Sequence, residues 1–341
     1  MSPFLSLDNF HTTFSNGLHR LLEHGLGAYI LVLANASFRR ENFLALYPAL
    51  ERGFETQCQA LATTSHTHLP ADDVAVFEQL QTLGLAQVET VKFRHPGPWE
   101  IQYNPLRAMR PPRNAHAVVK QLFQPFDNHA FHFNKPFLRK ESIWDGILNG
   151  HQLDVLYNKF PFVDLHGLLV PERKKQLPQY LNAEMHRYIW QLCTELPLPG
   201  LGFGYNALGA YSSVNHLHFQ SFLREQALPV ESQQWLHNGG NKPYPSECQV
   251  FDKLESAYRY INTLHEANCC YNLLYRPGRL YCLPRRFQGS YQHAPWTGGF
   301  AWYEMCGGMT VFAQQQFEDL TEADIISEFH KLNLNSIYVY N

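Results

Sequence analysis

The pentapeptide His216-Leu217-His218-Phe219-Gln220 alternates polar and apolar side chains, and this period of two most constrains what the chain can build. In an extended strand, alternate side chains share one face and recur every ~6.6–6.8 Å. The alternation predicts a strand over residues 202–222, with His216, His218 and Gln220 on one face and Leu217 and Phe219 packed behind it. Such a row holds proton-handling groups on a rigid element. The same pattern also fits a half-buried strand with incidental histidines. A third option is part of a metal site, since two His at i, i+2 can chelate zinc if one or two further ligands come from elsewhere.

The remaining sequence sets the frame for that strand. The 341 residues, 45% hydrophobic and 17% charged, suffice for one large or two modest cores. A net charge of −3 argues against bulk binding to nucleic acid or an anionic membrane. The first ten residues lack the basic and apolar pattern of a signal peptide. The longest apolar run, residues 28–34, falls far short of the ~20 residues of a membrane span. Seven scattered cysteines without a CxxC pair fit free thiols in a reducing compartment. The expectation is a soluble cytoplasmic protein.

Residues 1–95 read as largely helical, with amphipathic stretches at 7–22 and 41–62. A β-rich region begins at about residue 88, with strands at 99–103, 153–157 and 167–170 and a helix over 179–195 bounded by Pro178 and Pro197. The loop 238–246 is the best internal boundary. Beyond it come a helix at 251–267, strands at 271–275 and 280–283 around a Pro277-Gly278 turn, and a helix starting at Thr321 with Asp324 three residues on. Segments 1–95, 96–235 and 236–341 are therefore the expected units. Gly200, Gly202 and Gly204 imitate a phosphate-binding loop, but the residues after Gly204 read as strand where that loop needs a helix. The basic runs 173–175 and 285–286 read as exposed.

A second motif precedes the first. Asn158 stands three residues before Pro161, His166 five residues after it, and then comes the apolar stretch ending at Pro171. In this order, succeeded by a helix and His-x-His-x-Gln, the chain resembles the histidine-triad (HIT) superfamily. The stretch 204–220 is similar to that of GDP-galactose and GDP-glucose phosphorylases, as are 125–135 and 271–274, with 302–308 a weaker match. Tyr103-Asn104-Pro105-Leu106-Arg107 ahead of Arg110-Pro111-Pro112 is similar to the more distant galactose-1-phosphate uridylyltransferases. The likeness covers residues 99–330 in patches.

The resemblance implies an α+β, HIT-like fold: an antiparallel sheet with flanking helices, built as two HIT-like halves with one active site. It implies a nucleotidyltransferase or phosphorylase that splits a nucleoside diphosphate sugar through a nucleotidyl-histidine, with phosphate or a sugar phosphate as acceptor. His218 is the implied nucleophile, with His216 and His166 supporting it. Asn158 is the implied ribose contact and Ser213 a phosphate contact, with Arg107, Arg110 and Lys135 as the basic residues near the phosphates. Gln220 can donate a hydrogen bond but cannot act as a general acid, which favours transfer over hydrolysis. The paired cysteines of the uridylyltransferase zinc site are missing here, so no metal and no cofactor are expected. A dinucleoside polyphosphate (Ap4A-type) phosphorylase, a HIT-type hydrolase and a non-catalytic nucleotide-binding protein are the alternatives, and a homodimer stays open.

Overall fold

The computed structural model describes residues 2–63, 69–110 and 118–334. Helices α1 (Leu7–Leu21), α2 (Leu26–Ala36), α3 (Arg40–Thr63) and α4 (Ala71–Leu83) come first. In α1 the apolar residues Phe10, Phe14, Leu18 and Leu21 form one buried stripe, and the Ser6 side chain accepts from the Asn9 N–H at its start. Helix α2 contains the apolar run 28–34 and is buried nearly all round, as such a composition requires.

Strands β1 (Lys92–Arg94) and β2 (Glu100–Tyr103) come next, then the single-turn α5 (Pro105–Ala108). After these stand β3 (Ser142–Leu148), β4 (His151–Tyr157), β5 (Gly167–Pro171), α6 (Ala183–Glu195), β6 (Leu201–Asn206) and β7 (Phe219–Leu223). The C-terminal part adds β8 (Gln249–Phe251), α7 (Leu254–Glu266), β9 (Cys270–Arg276), β10 (Arg279–Arg285), α8 (Trp302–Met305), β11 (Gly308–Val311), α9 (Gln314–Asp319) and α10 (Glu322–Leu332). The capping box expected at Thr321 and Asp324 opens α10.

Eight strands form one antiparallel sheet in the order β3-β4-β5-β7-β6-β9-β10-β8. The strands on either side of loop 238–246 thus share one sheet, joined where β6 pairs with β9. A smaller sheet has the order β1-β2-β11. Alternation along each strand sends side chains to two main cores, beside a small third cluster of Phe133, Leu138, Leu156, Val170 and Val214. One core joins Phe14, Tyr29 and Phe77 of the N-terminal helices to Val155, Tyr157, Phe219 and Tyr275 of the sheet and to Ile189 of α6. The other holds Trp99, Ile101, Phe222, Leu274, Leu283, Trp302 and Phe329.

Three expectations are corrected. The continuous strand over 202–222 is two strands separated by a loop, 207–218, so His216 and His218 lie at the end of that loop, just before β7, and of the three only Gln220 lies on the strand itself. The 179–195 helix begins at Ala183, because the Asn182 side chain caps it by accepting from the Met185 N–H at 2.9 Å. Arg285 is not at the surface. It is fully buried, stacked 5.1 Å from the Tyr211 ring, and donates to the Phe300 and Arg286 carbonyls and the Tyr291 hydroxyl. All seven cysteines are free thiols, and among the described residues no helix is long and apolar enough to cross a membrane.

Candidate active site

The approach to β7 keeps its alternation because other backbone and side-chain groups take the place of a paired strand. The Leu217 N–H donates to the Leu177 carbonyl at 2.8 Å, and the His218 N–H donates to Gln179 Oε1 at 2.9 Å. Gln179 Nε2 donates in turn to the carbonyls of Asn206 and His218. Leu217 and Phe219 are fully buried on one side, and His216, His218 and Gln220 face the other.

His218 Nδ1 lies 2.8 Å from the His216 carbonyl oxygen. A carbonyl can only accept, so Nδ1 carries the proton and Nε2 keeps its lone pair. The Phe133 ring sits 5.0 Å from the His218 ring, and burial pushes the His218 pKa down to about 4. The imidazole is therefore neutral at pH 7.

His216 is anchored at both ring nitrogens. Its Nδ1 accepts from the Phe133 N–H at 3.2 Å, so Nε2 donates to the Arg173 carbonyl at 3.1 Å. A metal at His216 would have to break one of these bonds. Burial, then the nearby His218, lowers its pKa to about 4. Its contribution to His218 is its own backbone carbonyl. Arg173, expected to be exposed, is largely buried and pairs with Asp154 at 3.2 Å, whereas Lys174 and Lys175 are exposed.

His166 is fully buried. Its Nδ1 faces the Phe162 N–H at 3.4 Å, and its Nε2 lies 3.1 Å from Gln220 Oε1 and 3.2 Å from Asn158 Nδ2. Burial, then the Arg107 charge, lowers its pKa to about 3. The Trp302 Nε1–H donates to the same Gln220 oxygen at 2.9 Å. With two donors on Oε1, the Gln220 amide has one orientation, and its NH2 meets no protein acceptor among the described residues. The indole of Trp302 stacks on Phe222 at 5.2 Å and lies over Gly204, where a Cβ would come within 2.2 Å of the ring. Gly204 of the glycine series is thus a seat for this tryptophan.

Arg107 donates to the Phe160 carbonyl at 2.8 Å and lies 4.6 Å from the Phe162 ring, which in turn packs on His166. Burial lowers the Arg107 pKa and raises that of Glu304, and each group's charge opposes the other's shift. Arg110 is half-buried just beyond α5, while Pro111 and Pro112 lie outside the described residues. Ser213 is exposed in loop 207–218, and Lys135 reaches the Asn128 carbonyl at 3.5 Å. Neither is hydrogen-bonded to His218, Gln220 or His166. Sequence reasoning missed Gln179, Phe133 and the role of Trp302. Phe133 and Trp302 lay in stretches that resembled the phosphorylases, but nothing in the residue pattern disclosed their contacts.

Residues 96–222 match the family model described as GDPGP1-like, N-terminal domain. Over part of its length the chain is homologous to GDP-hexose phosphorylases. It is 36% identical over 129 residues to GDP-D-glucose phosphorylase 1 of Homo sapiens, covering 36% of this chain and 32% of that protein. It is 28% identical over 179 residues to GDP-L-galactose phosphorylase 2 of Arabidopsis thaliana, covering 45% and 42%. The chain thus covers less than half the length of these relatives. The yeast Ap4A phosphorylase Apa2 matches with a TM-score of 0.51 and 16% identity, covering 77% of this chain and 95% of that one. Its complex with Ap4A gives a TM-score of 0.50. At this identity the likeness is one of fold.

Proposed function

We propose that this chain is a nucleotidyltransferase that splits a nucleoside diphosphate sugar of the GDP-hexose class, with phosphate or a sugar phosphate as acceptor. The observation that carries the proposal is the state of His218, whose proton is held on Nδ1 by the His216 carbonyl while burial keeps the ring neutral. Nε2 is then a nucleophile at neutral pH without a base to activate it. In the first step Nε2 forms a bond to the α-phosphorus, the bond from that phosphorus to the bridging oxygen breaks, and the electron pair leaves with the hexose 1-phosphate. In the second, an acceptor oxygen bonds to phosphorus, the N–P bond breaks, and the imidazole recovers its lone pair as the product departs, a nucleoside diphosphate from phosphate or a nucleoside diphosphate sugar from a sugar phosphate.

A phosphate leaving group ionises near pH 6 and needs no proton from the enzyme. An amide suits the position of Gln220 for that reason: its NH2 can stabilise a nonbridging oxygen. Asn158 is proposed as the ribose contact. Ser213, Arg107, Arg110 and Lys135 are proposed on the phosphate side, and His216 as the residue that orients His218. The part 236–341 is proposed as a second HIT-like half that supplies Trp302 and no nucleophile.

The test is incubation with GDP-hexoses, other nucleoside diphosphate sugars and Ap4A, with and without phosphate. Phosphate-dependent release of GDP from a GDP-hexose is expected. Phosphate-independent release of GMP would overturn the assignment in favour of a hydrolase, and cleavage of Ap4A alone would move the substrate to dinucleoside polyphosphates.

A further inference from the structure

The loop 158–166 joins β4 to β5 and carries both Asn158 and His166, with no regular structure of its own. Its backbone carbonyls must still find donors, and side chains supply them from two sides. From the β2–α5 side, Arg107 takes the Phe160 carbonyl, Asn104 the Pro161 carbonyl at 2.8 Å and Gln102 the Phe162 carbonyl at 2.9 Å. All three lie within the stretch that matches the family model.

The other side belongs to the N-terminal helices, which lie outside that stretch. Asn35 is a buried amide at the end of the otherwise apolar α2, and its Nδ2 donates to the Asn158 carbonyl at 2.9 Å. Asp73 of α4 pairs with Lys159 at 2.6 Å. Arg39, between α2 and α3, pairs with Asp164, its Nε lying 2.8 Å from Oδ2. Gly27 of α2 leaves room for the second of these ties, since a Cβ there would come within 2.6 Å of Asp73 and 3.2 Å of the Lys159 Nζ. Three ties from separate points of one segment therefore converge on one short loop.

We propose that residues 1–95 are a brace for the nucleotide-binding loop, with Asn35, Arg39 and Asp73 as positioning residues that hold Asn158 and His166 in register with His218. This rests on the nucleotidyltransferase function proposed above for the same site. A packing segment needs only apolar contact with the sheet. Polar side chains aimed at a loop carbonyl, a loop lysine and a loop aspartate do what packing alone does not: they fix where the loop stands.

The experiment compares the unaltered chain with Asn35→Ala, Asp73→Ala and Gly27→Ala, and with Arg39→Ala, which changes an exposed residue and keeps the test open if a buried variant fails to fold. Hydrogen exchange is read in peptides covering 158–166, where the N–H groups of Asn158, Phe160 and Phe162 are bonded within the loop, and GDP binding is read by calorimetry. The brace predicts at least tenfold faster exchange in that loop with α7 unchanged. It also predicts three- to tenfold weaker GDP binding. Unchanged loop exchange, or acceleration across the whole sheet with KM constant and kcat falling with the folded fraction, would overturn it. Failure of the unaltered chain to bind GDP would refute the nucleotide reading itself, and the exchange data would still decide whether the brace exists.

Discussion

Trp302 Nε1 stands 2.9 Å from Gln220 Oε1, a hydrogen bond that spans 82 residues of chain and ties α8 to β7. Together with His166 it occupies the carbonyl of an amide whose useful end is the other one. Trp302→Phe keeps the stack on Phe222 but leaves the amide held by His166 alone. A neutral hydrogen bond of about 1 kcal/mol corresponds to a rate effect of roughly three- to tenfold. The expected outcome is a fall of that size in kcat with little change in KM. Gln220→Ala should lose more, and the double variant should be no worse than Gln220→Ala alone. Additive losses in steady-state kinetics would show that Trp302 acts on something other than Gln220.

The two histidines of the motif should part company under mutation. His218→Ala removes the proposed nucleophile, so labelled nucleotide should no longer attach to the protein. His216→Ala removes a ring that bridges the Phe133 N–H and the Arg173 carbonyl but leaves the backbone carbonyl that orients His218. It should keep covalent labelling at a reduced rate while losing about 1–3 kcal/mol of stability, the cost of unpaired buried polar groups. Denaturant unfolding and acid-quenched labelling measure the two effects.

Acidity offers a separate check. His218 is pushed down to about 4, so the labelling rate after a rapid pH jump should hold from pH 8 to about 5 and halve near 4. An ordinary histidine would halve it near 6.5. Stability behaves differently. His166, His186, His216 and His218 are buried with pKa values lowered to between about 3 and 4. As pH falls below about 6.5 the unfolded chain binds protons that the folded chain refuses. Each of these histidines then removes up to about 1.4 kcal/mol of stability per pH unit until its folded pKa is reached. Denaturant melts at pH 7 and pH 5 should show the lower stability at pH 5.

The legibility of the fold tracked the range of the forces involved. Period-two and 3.6-residue patterns disclosed β4, β5, β9, β10, α1, α3 and α7, because burial of one face is written locally. The break between β6 and β7 was not legible. Loop 207–218 turns at 208–211 and bends at 215–216, and Gln179 and Leu177, far away in sequence, take up the N–H groups of His218 and Leu217. The same holds for Arg285, whose neighbour Arg286 made it look like a surface pair although distant carbonyl and hydroxyl groups solvate its guanidinium. His218 and Gln220 were legible as candidates by motif. The donor that orients Gln220 and the carbonyl that orients His218 are tertiary facts.

Gly204 connects the sequence pattern to this tertiary arrangement and gives the most direct test of it. The glycine pairs with Gln220 across β6 and β7 and lies beneath the Trp302 ring. Gly204→Ala places a methyl group where the indole now sits, 2.2 Å from the nearest ring atoms. Backbone and ring must separate, which costs about 1–3 kcal/mol for an overpacked core. Because Trp302 holds Gln220, the displacement should also reproduce the kcat loss of Trp302→Phe. In the Trp302→Phe background the smaller ring leaves more room, so Gly204→Ala should there cost less stability and add little to the kinetic defect. A double-mutant cycle in denaturant and in kcat measures both couplings. Full additivity in both would mean that the glycine and the tryptophan act independently, and that Gly204 serves only the local geometry of β6.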